Sequence, residues 1–137
     1  MQKPTDTKIT SVIVKINQLT SQEKIDWEIE KPPASLIEGS DAVVPIFMRA
    51  AYNGKYIALY QRRFQAKDLY LGYSNGLDKA EKYWVEKIVF ALMDSQRNIL
   101  WSTSTPESAL RDLLDTVKAK IANVDQFFDD ILGIDLE

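Results

Sequence analysis

Apolar residues near the start of the chain recur at every third or fourth position. Ile9, Val12, Ile13, Ile16 and Leu19 form one stripe, which predicts an amphipathic helix over 6–21. Lys8, Lys15, Asn17 and Gln18 fall off that stripe, and Thr5 or Asp6 can cap the first turn by accepting from its free amides. The period then shortens to two. Ile25, Trp27 and Ile29 alternate with Asp26, Glu28 and Glu30, as in a half-exposed strand, and Pro32-Pro33 stops it because proline cannot donate to a ladder. Residues 42–52 and 55–64 are two strand-like runs around Asn53-Gly54, a pair that tolerates the positive φ of a type I′ turn. Pro45 places the first of these runs at a sheet edge or near its own start. Residues 65–82 are polar and rich in turn formers (Gly72, Asn75-Gly76, Asp78), which predicts a loop with a short strand around 69–73. Residues 83–94 make the most apolar strand, and the turn 94–97 joins it to a short partner at 98–103.

Helical spacing returns at the end of the chain. Thr105 is the expected N-cap and Pro106 the first helical residue, followed by the stripe Leu110, Leu113, Leu114, Val117 and Ile121. Asn123 with Gln126 three residues on resembles a capping box for a last helix lined by Val124, Phe127, Phe128, Ile131 and Leu132 and closed by Gly133. The order is helix, about five strands, then two helices, with short connections and no repeat. This predicts one α+β domain over 1–137: an N-terminal helix, an antiparallel sheet of about five strands, and two C-terminal helices packed on one sheet face.

The two-residue turn also sets a register. It pairs Tyr52 with Lys55, Ala50 with Ile57, Met48 with Leu59 and Ile46 with Gln61 on a face suited to meet the helices. Phe47, Arg49, Ala51, Tyr56, Ala58, Tyr60 and Arg62 then point the other way, with Arg49 opposite Ala58 and within cation–π reach of Tyr56 and Tyr60. The strand at 83–94 is apolar on both sides as well, with Trp84, Ile88, Phe90 and Leu92 on one face and Tyr83, Val85, Val89, Ala91 and Met93 on the other. The second face therefore needs cover. The loop 65–82 or the segment 31–41 can supply it from within the chain, or a second copy, another protein or a small ligand can supply it from outside. Among the functional readings a homodimer is preferred, with Phe47, Arg49, Tyr56, Tyr60 and Arg62 as the expected interaction residues.

Composition narrows the chemistry. The chain has no Cys and no His, which removes disulfides, thiol chemistry, His-dependent triads and most zinc or copper sites. Carboxylates could still act as acids and bases, but Glu81 falls in the expected loop, Asp94 suits a turn, and Asp129 and Asp130 diverge by about 100° on a helix. Asp125, Asp129 and Asp130 lack calcium-loop spacing, and neither glycine-rich nucleotide fingerprint occurs, so no metal or cofactor is expected. Net charge is −3, against a nucleic-acid partner, although Arg49, Tyr56, Tyr60 and Arg62 could stack bases. From Glu107 onward acids outnumber bases eight to three, a solvated acidic face or a docking surface for a basic partner. The longest apolar run, Ile88 to Met93, is too short to span a bilayer. With no secretory pattern near Met1, a cytoplasmic location is expected.

The segment Tyr83-Trp-Val-Glu-Lys-Ile-Val-Phe-Ala-Leu-Met93, with Asn98-Ile-Leu-Trp101 and Leu110-Arg-Asp-Leu-Leu114, resembles a group of small, functionally uncharacterised, mainly cyanobacterial proteins, some labelled heterocyst-differentiation-related. The resemblance covers the C-terminal half, contains no catalytic motif, and implies a cytoplasmic regulatory or accessory role in a bacterium. The expected function is thus non-catalytic: an interaction or regulatory protein, homodimeric through a sheet face or bound to another protein. The alternative is a small enzyme or anion-binding domain with a pocket between sheet and helices, lined by Trp27, Trp84 or Trp101.

Overall fold

The computed structural model describes residues 5–38, 42–68 and 81–134. Helix α1 (Asp6–Ser21) begins at Thr5, whose hydroxyl accepts from the Lys8 amide at 3.2 Å. Five strands follow as an antiparallel meander in chain order: β1 (Trp27–Ile29), β2 (Val43–Tyr52), β3 (Lys55–Asp68), β4 (Glu81–Met93) and β5 (Ile99–Thr103). A 3-10 turn, Ala34–Leu36, lies between β1 and β2, and helices α2 (Glu107–Ala122) and α3 (Val124–Ile134) complete an α+β fold. None of the described helices is long and apolar enough to cross a membrane.

The central hairpin has the register that its turn dictates. Asn53 and Gly54 take φ of 54° and 76°, and Tyr52, Ala50, Met48 and Ile46 pair with Lys55, Ile57, Leu59 and Gln61. Pro45 lies near the start of β2, where the ladder shifts register between Val43 and Ile46. The β3–β4 ladder is longer than expected. It runs from Tyr56 opposite Met93 to Asp68 opposite Glu81, so residues 65–68 and 81–82 are strand rather than loop. Polar composition misleads here, because a ribbon whose side chains meet water, as Gln65 does, needs no apolar alternation. The short strand expected around 69–73 falls outside the described residues.

The helix-facing core joins Met48, Ala50, Ile57, Leu59, Ile88 and Phe90 of the sheet to Ile13, Ile16 and Leu19 of α1 and to Leu110, Leu113, Leu114 and Val117 of α2. Each of these side chains larger than Ala50 contributes about 1.5–3 kcal/mol by leaving water. Among the described residues Thr20 is the buried polar exception; its hydroxyl donates to the Ile16 carbonyl (2.8 Å) and accepts from the Trp27 indole N–H (3.0 Å). Ile25, just before β1, and Trp27 are buried as the alternation implies, but Ile29 is exposed at the end of a three-residue edge strand.

Three helix-end expectations change. Pro106 is the N-cap of α2 rather than its first residue: its φ and ψ are extended, and its carbonyl accepts the Leu110 amide at 3.1 Å. Asn123 forms no capping box. It takes φ 54° as the left-handed C-cap of α2, a conformation incompatible with an extended N-cap, and Gln126 turns instead to Asp130 (2.7 Å). Gly133 lies within α3, which continues to Ile134. The last helix also stays off the sheet: Phe127, Phe128, Ile131 and Leu132 are between 50% and 66% exposed, and the main contact of α3 is with α2.

Candidate interaction surface

The second face of the sheet gathers Val44 and Phe47 of β2, Ala58 and Tyr60 of β3, and Val89, Ala91 and Met93 of β4 into a second buried cluster. The cover comes from the chain itself. After β1 the backbone stays with the sheet, the Glu30 amide donating to the Phe47 carbonyl (2.9 Å), and Leu36 packs onto the cluster with Tyr56 and Ile99. Two arginines hold this segment down. Arg49 Nη2 lies 2.9 Å from Glu30 Oε1, and Arg97 donates to the Lys31 carbonyl while sitting 3.8 Å from Glu30 Oε2. Both guanidiniums also cover aromatic rings, Arg49 over Tyr56 at 5.0 Å and Arg97 over Phe47 at 5.9 Å.

The five expected interaction residues therefore divide. Phe47 and Tyr60, with ring centroids 5.4 Å apart, are 1% and 3% exposed within a single chain and belong to its interior. Arg49 is half-buried and neutralised by Glu30, Tyr56 lies beneath Arg49, and Arg62 is half-buried with its guanidinium 4.9 Å above the Phe64 ring. Burial raises the Tyr60 phenol above its ordinary pKa, against a smaller opposing pull from Arg62. Arg97, a turn residue with φ 67°, escapes sequence reasoning because only the folded turn brings it back over Phe47.

Glu86 and Asp94 are occupied structurally. Glu86 accepts from Gln61 and, at 3.2 Å, from Arg63 across the β3–β4 ladder. Asp94 accepts from the Asn98 side chain and from the Asn98 and Gln96 amides, which holds its pKa below the usual carboxylate value. The three tryptophans line three separate hollows. Trp84 lies with Val43, Arg63 and Glu86, Trp27 with Thr20 and Lys120, and Trp101 in the largest, a groove of about 720 Å³.

That groove runs along α1 on the flank away from α2. Its walls and floor are Val12, Leu19, Ile57, Phe90, Leu92 and Trp101, and Lys8, Lys15 and Lys55 stand at its margin. Thr10, Val14 and Asn17, on the other flank of α1, line a different hollow with Ser108, Ala109 and Asp112 of α2. The groove and the bare stripe of α3 are the open apolar features that sequence reasoning missed. The signals were present: Lys8 and Lys15 share one flank of the first helix with Val12, and the last helix has five large apolar residues in one arc. Comparison of the chain with protein-family models, curated proteins and solved structures gave no match.

Proposed function

We propose that this protein is a non-catalytic interaction or regulatory protein of the cytoplasm that acts as a homodimer. One observation carries the reading: a single chain leaves open both an apolar groove and an apolar helix stripe, Phe127, Phe128, Ile131 and Leu132. Large open apolar patches are uncommon on monomers and mark sites of association. The second sheet face has a reduced part in this reading. With Phe47 and Tyr60 inside the chain, only Arg49, Tyr56 and Arg62 of the five expected interaction residues keep any exposure there, each half-buried. The resemblance of the C-terminal half to small cyanobacterial proteins adds a bacterial accessory role. Sedimentation equilibrium from micromolar to millimolar concentration tests self-association: a concentration-dependent rise in mass is expected, and a constant monomer mass overturns the homodimer.

A second reading, a ligand-binding domain, is favoured by the three lysines at the margin of an apolar groove, a pattern suited to an amphipathic anion. Titration with a fluorescent long-chain fatty acid tests it. Saturable binding that weakens on Lys15→Glu supports a ligand site, and no saturable binding removes it.

A further inference from the structure

We propose that the groove beside α1 receives helix α3 of a second copy, so that two chains dock their last helices reciprocally. This rests on the self-association reading and specifies its interface. Phe127, Phe128, Ile131 and Leu132 stand at i, i+1, i+4 and i+5, which confines them to an arc of roughly 140° on α3. Asp125 and Asp129, four residues apart, border one side of that arc. The groove has the opposite layout: an apolar floor of Ile57, Phe90, Leu92 and Trp101, with Lys8, Lys15 and Lys55 at its margin. Among the described residues neither these lysines nor Asp125 and Asp129 make an ion pair. An acidic-edged apolar helix and a basic-edged apolar groove thus complement each other in both shape class and charge.

The fold sets the partner as a second chain. Only Asn123 separates α2 from α3, and the C-terminal turn of α2 (Lys120, Ile121) lies beside Ile25, Asp26 and Trp27, at the β1 edge of the sheet. The groove is bounded by Leu100 and Trp101 of β5, the opposite edge. A helix held at one edge by a one-residue joint does not reach the other edge of its own sheet. In a second copy the same helix completes the layer that α1 and α2 begin, at the flank of α1 that α2 leaves open. A two-fold dimer needs each chain to carry both halves of a self-complementary contact, and this chain does.

Charge reversal tests the pairing. One variant carries Asp125→Lys and Asp129→Lys, the other Lys8→Glu and Lys15→Glu, all at exposed positions, with circular dichroism to confirm the fold. Each variant alone should dimerise about tenfold or more weakly than the parent chain, and an equimolar mixture should recover parental dimerisation, because both contacts of the mixed dimer are again complementary. A parental dimer that neither variant weakens overturns this interface and leaves self-association standing. Variants that weaken the dimer but show no recovery on mixing overturn the reciprocal docking. A parent chain that is monomeric at every concentration overturns the self-association reading along with it.

Discussion

The cluster around Phe47 and Tyr60 and the stripe on α3 are similar in apolar content and opposite in fate. The first is filled from within: Leu36 packs onto it, and Arg49 and Arg97 fasten the covering segment through Glu30 and the Lys31 carbonyl. The second keeps four large side chains at least half exposed. An apolar face reports that it needs a cover, whereas chain connectivity decides who supplies it. Residues 30–36 leave β1 at the sheet edge with enough length to fold back over the sheet. Helix α3 is joined to α2 through Asn123 alone and has no such freedom.

Substitutions can break this contrast. The largest effect is expected for Phe47→Ala, which opens a cavity in the self-covered cluster and should cost about 3–5 kcal/mol in urea denaturation. Glu30→Ala should cost about 1–2 kcal/mol, since it leaves Arg49 and Arg97 without their shared carboxylate above the cluster; a loss that Arg49→Ala reproduces without further decrease in the double variant would confirm the coupling. Alkaline pH should act more gently on the same region. Because the folded pKa of Tyr60 is raised, its contribution is present below 10.0, the ordinary value, and is lost as pH climbs through the folded pKa. Stability measured across that range should fall, and Tyr60→Phe should flatten the fall. The smallest effect belongs to the open region: Phe128→Ala should change the stability of the monomer by no more than about 0.5 kcal/mol while weakening self-association. If Phe128→Ala destabilises the monomer as much as Phe47→Ala, the contrast collapses.

Most of the sheet was readable from local chemistry. Asn53-Gly54 can form only a few turns, and the two-residue turn then assigns the side chains from Ile46 to Gln61 to a face, up to the register shift between Val43 and Ile46, which is why Arg49 was correctly placed opposite Ala58 and near Tyr56. The extension of β3 and β4 was not readable, because a polar residue such as Gln65 suits a loop and a solvated ribbon equally. Asn123 was misread for a related reason: the same side chain caps a helix start in extended backbone and a helix end in left-handed backbone, and sequence spacing does not distinguish them. Of the five expected interaction residues, face and neighbours were legible but exposure was not. Exposure depends on residues 30–36 arriving from elsewhere in the chain.

The sequence by itself determined the elements, the hairpin register and the two apolar faces, since periodicity and turn chemistry act over a few residues. Only the tertiary structure decided which apolar surfaces stay open. Cover is a long-range property: Arg97 reaches Lys31 across 66 positions of chain, and α3 is kept from the sheet by the direction of a single joint. The interior claimed Phe47 and Tyr60, and left the groove along α1 and the stripe of α3 as its unpaired surfaces.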